Sequence, residues 1–408
     1  MEKVIGFENG NVGSLPLNDL YREKIITDDR DFRKKYGRMV KAFAVSHAHL
    51  DHLAAIPAVA PQYGDVPIIA TPFTVEVLSN LLRERKEKFN NKVIKLNAGS
   101  TYRVSKNIEI EFIYATHSTP QTVMIAVHTP VGTLLYANDF KFDEYPSLGR
   151  RTDYKRLREL APLKCLIVDT TRIAKESRTH SESLVKEMLK DVLMWTENKE
   201  NLIVVTTFAS HISRINTIVD IARDMKREPV ILGRSMTNYI LAAERCGVAD
   251  ISSKAQVWGY KGPMMKILRK IKRDRGKYLL IVTGHQGEPN AVLSKMARSE
   301  LPFDFKHDDE IVFACEVIPA PVNAANRAHL EKQLKSHGVR IFKDIHVSGH
   351  ASREDHRDFI NILKPETYIP THGGMDKLGS AIDLAVEMGY KFGENAILLQ
   401  DGQTLEVK

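Results

Sequence analysis

Hydrophobic side chains make up 43% and charged ones 27% of the 408 residues, a globular balance that excludes a disordered or fibrous chain and leaves room for two domains. Fifty-nine Lys and Arg against 51 Asp and Glu give a formal charge of +8, which helps to attract a polyanion but identifies none. Cys165, Cys246 and Cys315 lie far apart in apolar contexts and imply neither a disulfide framework nor a thiolate zinc site, and no membrane span or secretory signal is visible, which makes the cytoplasm the default location.

In chain order, Met1 to Gly37 reads as loop, and the first strand is expected over Lys41–Ser46. A helix over Pro72–Lys86 follows, then strands at Ile108–Ala115, Val123–His128 and Thr133–Ala137, the last two forming a hairpin about Thr129-Pro130-Val131-Gly132. A strand at Cys165–Asp169 leads to a helix over Ser181–Thr196, a strand at Leu202–Thr207 and a helix over Ile212–Met225. Strands at Pro229–Leu232, Tyr278–Thr283 and Ile311–Ala314 precede helices over Ala324–His337 and Arg353–Leu363, a strand at Thr367–Pro370 and a helix over Met375–Met388. This alternation predicts α/β layers. Residues 176–343 repeat it with few of the histidines that matter below, so they read as a domain inserted between 1–175 and 344–408.

The strongest chemical signal is Ser46-His47-Ala48-His49-Leu50-Asp51-His52, directly after an apolar strand. Alternation in extended chain sends His47 and His49 to one side, and the turn into a helix lets Asp51 and His52 face a second ion. Packing does not ask for three histidines and an aspartate within six residues; a His-rich surface loop is the weaker reading. His117, Asp139 and His372 each follow a strand, where loop ends converge at one sheet edge, although a lone histidine there is more often structural.

The H-x-H-x-D-H pattern resembles the hallmark of the metallo-β-lactamase superfamily. Further segments fall in the order of its β-CASP nucleases, most closely the ribonuclease J family: Ala115–Ser118, Asn138–Asp143, Asp169–Thr171, Thr206–Ser210, Gly233–Met236, Gly284–Pro289, His346–Ser352 and Pro370–Gly373. The resemblance implies an αββα sandwich carrying an inserted β-CASP α/β domain. It implies that His47, His49 and His117 ligate one divalent ion, that Asp51, His52 and His372 ligate another, and that Asp139 bridges them. Zinc is the first choice and manganese the second. It further implies catalytic roles for Asp51, Asp169 and His350, with phosphate contacts from His346, Ser348, Gly284, His285, Ser210 and Arg234; Arg214 and Arg353 are added as candidate phosphate partners.

The implied activity is hydrolysis of single-stranded RNA, 5′-to-3′ and with an endonucleolytic component. A homodimer is compatible with it, and a membrane partner is not expected. A silent nucleic-acid-binding paralogue and a small-molecule metallo-hydrolase are the alternatives. Three departures stand out: no strand ending in aspartate precedes His47, so either the true N-terminus lies upstream of Met1 or the first sheet lacks N-terminal strands and exposes an edge; His285 stands where the family pattern has Ser; and Gly374 stands where many β-CASP nucleases have Glu. The cationic run Lys266 to Lys277 reads more readily as a solvated helix face than as part of a substrate groove.

Overall fold

The computed structural model describes residues 15–85, 88–196 and 199–407. They divide into two compact units, one formed by 15–181 with 348–407 and the other by Glu182–Val347. The inserted unit thus begins and ends a few residues beyond the boundaries expected from sequence.

In the first unit, β1 (Phe43–Val45), β2 (Ile68–Ala70) and β3 (Val93–Lys95) form a parallel sheet, with α1 (Pro72–Arg85) crossing from β2 to β3. A second sheet collects β4 (Thr101–Arg103), β5 (Glu109–Tyr114), β6 (Val123–Thr129), β7 (Gly132–Ala137) and β8 (Cys165–Asp169). The chain then enters the other unit with α2 (Glu182–Met194), β9 (Ile203–Thr206), α3 (Ile212–Asp224), β10 (Glu228–Leu232), β11 (Gln256–Trp258), α4 (Lys261–Ile271), β12 (Tyr278–Val282), β13 (Glu310–Phe313) and β14 (Arg340–Phe342). It returns through α5 (Arg353–Leu363), β15 (Thr367–Thr371), which pairs in parallel with β8, and α6 (Met375–Glu387).

Period-two alternation on β5 and β6 builds the sandwich. Ile110, Phe112, Val123 and Ile125 face one apolar cluster with Ile69 of the first sheet and Leu96 just after β3, whereas Ile113, Met124 and Ala126 face the opposite cluster with Phe359, Leu363 and Leu384 of α5 and α6. With α1 packed on the first sheet, the unit is an αββα sandwich. The inserted unit has an all-parallel sheet in the order β11-β10-β12-β9-β13-β14, and β9, β12 and β13 are buried along their whole length, as strands covered on both faces must be.

The loop expected for Met1 to Gly37 is corrected over its described part. Residues Leu17–Arg22 and Arg30–Tyr36 are helices, followed by a 3₁₀ turn at Gly37–Met39. Both helices are too short and polar to print a hydrophobic period. What fixes them is local: Leu20 and Tyr21 are buried, and the Tyr21 and Tyr63 hydroxyls both donate to the Asp29 carboxylate. Residues 1–14 of that expectation lie outside the described residues.

Candidate metal centre

Topology gathers the site at one edge. β5, β7, β8 and β15 run the same way, so the segments that leave their C-terminal ends carry His117, Asn138-Asp139, Asp169 and His372 to the same side. β1 joins them because the Val123 N–H donates to the Ser46 carbonyl, bringing His47 to the start of β6. His49 then precedes the short helix Leu50–Leu53 in extended conformation, and the helix carries Asp51 and His52.

The structure brings together all seven residues expected to ligate metal. Ligand atoms of His47, His49, His117 and Asp139 lie within 4.8 Å of one another, as do those of Asp51, His52 and His372. Asp139 Oδ2 is 3.3 Å from His47 Nε2, 3.5 Å from His117 Nε2 and 3.9 Å from His49 Nδ1. Its other oxygen, Oδ1, is 3.4 Å from both His52 Nε2 and His372 Nε2. Asp51 Oδ2 completes the second set, 3.4 Å from His52 Nε2 and 3.8 Å from His372 Nε2.

The donor set fits divalent cations. Asp139 Oδ1, His52 Nε2 and His372 Nε2 are buried and without a hydrogen-bond partner, a cost that an ion coordinated by all three would remove. Burial, reinforced by neighbouring imidazoles, holds the His117 ring well below the ordinary histidine range, and burial pushes His47 down to about 4, leaving both neutral and ready to ligate. At His52 burial acts the same way but is outweighed by Asp139 and Asp51, which raise it to about 10; those two carboxylates create a field that favours a cation. Asp139 and His372 both adopt left-handed backbone, φ 50° and 57°, to turn their side chains inward.

Supporting contacts aim the ligands. His117 Nδ1 lies 2.7 Å from the Gly349 carbonyl, which can only accept, so Nδ1 carries the hydrogen and the Nε2 lone pair faces Asp139. A methyl group at position 349 would stand 3.0 Å from the His117 ring, closer than ordinary contact, so glycine leaves the ring room. Ser46 Oγ meets His47 Nδ1 at 2.9 Å, and the Asn138 amide meets His52 Nδ1 at 3.2 Å. The sequence reading gave Ser46, Asn138 and Gly349 no such role. Ser46 and Asn138 adjoin ligands and could have been found; Gly349 is 232 positions from its partner and left no signal.

Beside these ligands, Asp169 is fully buried, with Oδ1 accepting from Thr171 N–H and Oγ1 at 2.8 and 2.6 Å and Oδ2 lying 2.8 Å from His350 Nδ1. Burial would lower His350, yet Asp169 and Asp139 outweigh it and raise the imidazole to about 9. The expected phosphate contacts are distributed over both units. Ser348 lies in the sandwich unit, where its hydroxyl accepts from the His350 N–H at 3.0 Å. Ser210, Arg234, Gly284 and His285 follow β9, β10 and β12 at the C-terminal edge of the inserted sheet, the usual ligand-binding side of a parallel sheet. Arg234 is exposed there, whereas His285 is buried with its ring against Phe208 and Nε2 unpartnered. His346 Nδ1 is 2.9 Å from Arg214.

Two of the expected cations are corrected. Arg214 is fully buried, bound at 2.7 Å and 2.8 Å to both oxygens of Glu182, and is no surface phosphate ligand. Arg353 is engaged with the Ser380 carbonyl and Glu387.

An αββα sandwich whose sheet edge gathers five histidines and two aspartates, interrupted by an α/β unit, defines a metallo-hydrolase of the β-lactamase superfamily. Family models agree: a β-lactamase superfamily domain matches 26–228, the β-CASP domain of ribonuclease J matches 200–330, and a Zn-dependent metallo-hydrolase RNA specificity domain matches 338–397. The chain is 42% identical to ribonuclease J of Methanocaldococcus jannaschii over 99% of its own length and 91% of that protein's, and 40% identical to ribonuclease J of Pyrococcus abyssi over 100% and 90%. It belongs to the ribonuclease J family. A solved structure of a protein of unknown function from Enterococcus faecalis shares the fold, with TM-score 0.58 and 19% identity over 81% of this chain and 75% of that one. Among the described residues no helix is long and apolar enough to cross a membrane.

Proposed function

We propose that the chain is a two-zinc ribonuclease that shortens single-stranded RNA from its 5′ end. One observation carries the reading: the two oxygens of a single buried carboxylate, Asp139, face two separate sets of ligands. His47, His49 and His117 would hold one ion, Asp51, His52 and His372 the other, and the nitrogen-and-oxygen donor set suits zinc, with manganese next. Bound there, a divalent pair supplies the positive charge that acidifies water and offsets charge on a phosphodiester.

The chain's own residues would do the rest. Asp51, at the exposed rim of the ligand set, is placed to accept a proton from the attacking water. His350, held through Nδ1 by the buried Asp169 carboxylate, is assigned to give a proton to the leaving oxygen as the phosphorus–oxygen bond breaks. The Ser348 hydroxyl fixes the backbone that carries His350. Gly284, His285, Ser210, Arg234 and His346, all in the inserted unit, are assigned to phosphate contacts.

The test is a single-stranded RNA labelled at its 3′ end and bearing a 5′ monophosphate, triphosphate or hydroxyl, with Zn²⁺ or Mn²⁺ supplied. Stepwise shortening from the 5′ end, fastest with the monophosphate, is expected, since a pocket built for one phosphate rejects the added charge and bulk of three. Shortening from the 3′ end, or equal rates on DNA, overturns the reading. So does a metal content well below one equivalent after supplementation.

A further inference from the structure

We infer that the outer face of α4, with the turn that follows it, is a second RNA-binding surface, engaging RNA outside the cleavage site; the inference rests on the ribonuclease reading above. None of the seven metal-cluster ligands lies in the unit that carries this face. Residues 261–277 hold eight Lys and Arg against a single acid, Asp274. Arg275 is buried against Asp309, and Lys272 and Lys277 are paired with Asp304 and Glu228. Lys266, Arg269, Lys270 and Arg273 are exposed and, among the described residues, form no ion pair.

Their spacing places them together. Lys266, Arg269 and Lys270, three and four apart, share one side of α4 opposite the buried Ile267, Leu268 and Ile271, and Arg273 lies in the turn two residues beyond its end. At the head of the helix the Tyr260 ring is 73% exposed, a surface on which a base can stack.

A merely solvated face would look different. Half-exposed cations on other helices are interleaved with acids: Lys190 pairs with Glu187 on α2, and Arg357 pairs with Glu354 of α5 and Glu387 of α6. Helix α4 contains no acid, and its like charges at i,i+3 and i,i+4 repel one another, which weakens the helix. A face that carries this repulsion with no acid on its own helix matches a polyanion, whose counterions it would release on binding.

The experiment compares wild type with K266A/R269A/K270A/R273A, both metal-loaded, on a single-stranded RNA of about 5 nucleotides and one of about 40, the shorter being within the reach of one binding surface. For the longer RNA the variant's KM should rise about tenfold, and the plot of log kcat/KM against log salt should flatten by about 2–3. For the shorter RNA both quantities should stay at wild-type values, and the melting temperature should hold or rise because the repulsion is gone. An unchanged KM on the longer RNA, or an equal loss on both, overturns the inference. If the quadruple variant folds poorly, Lys266→Gln and Arg273→Gln singly carry the same comparison. Wild type that cleaves neither RNA defeats the ribonuclease reading itself, a result distinct from an unaffected variant.

Discussion

Asp139 sits with left-handed backbone among five imidazoles, and its two oxygens face different histidines. Asparagine tolerates the same backbone, so Asp139→Asn removes charge with little strain. Outer contacts to metal ligands are typically worth about 10–100-fold in affinity or activity, and a direct ligand should exceed that. We expect Asp139→Asn to lower metal content and to cut cleavage more than about 100-fold with folding intact; full turnover at normal metal content would remove the bridging role. The buried Glu182–Arg214 pair makes a different demand. Burial works to raise the Glu182 carboxyl, but Arg214 and His211 outweigh it and hold the group well below its ordinary range. Its contribution is therefore full above the unfolded carboxyl value of about 4.3 and declines as pH falls through the lower folded value. Glu182→Gln should cost about 3–5 kcal/mol at neutral pH by leaving Arg214 buried and unpaired, and should flatten the acid side of a stability-versus-pH curve measured by urea unfolding. The clustering of the proposed ligands was legible because four fall within six residues and each of the others lies within three residues of a strand's end. Arg214 was misread because its burial depends on Glu182, 32 positions away.

At the scale of elements, long alternating or fully apolar strands such as β5, β6 and β12 announce themselves, and the helices with a wide apolar face do as well. Strands β2, β3, β4, β11 and β14 have three residues each and were not foreseen, since three positions cannot establish a period. Their place in the sheets is decided by neighbours. α5 shows the opposite case, a boundary written in its own residues. Ser352 accepts from the N3 backbone while Asp355 accepts from the Ser352 N–H, a reciprocal cap directly after His350 and Ala351. Replacing Ser352 with Ala should cost about 1 kcal/mol, or about 2–4 °C in melting temperature, and thermal unfolding followed by circular dichroism will show it. No change would mean that Asp355, also bonded to the Thr179 N–H, holds the turn alone.

For the whole molecule, two units with separate apolar clusters should respond separately to loss of metal. All the proposed ligands belong to the sandwich unit, so chelation should lower one calorimetric transition and leave the other nearly in place, because a ligand stabilises only the structure that binds it. Equal shifts in both transitions would show that the units unfold as one. The insertion between Ser181 and Ser348 also has a consequence for biosynthesis. On the ribosome, β8 emerges well before β15, the strand that will lie beside it and lead to His372. Through the interval in which the insertion is translated, on the order of ten seconds or more at ordinary elongation rates, β8 has an unpaired side and the ligand set lacks His372. A nascent chain can therefore complete its catalytic centre only after the inserted unit has been made, which delays nuclease activity until the machinery assigned to RNA binding is already in place.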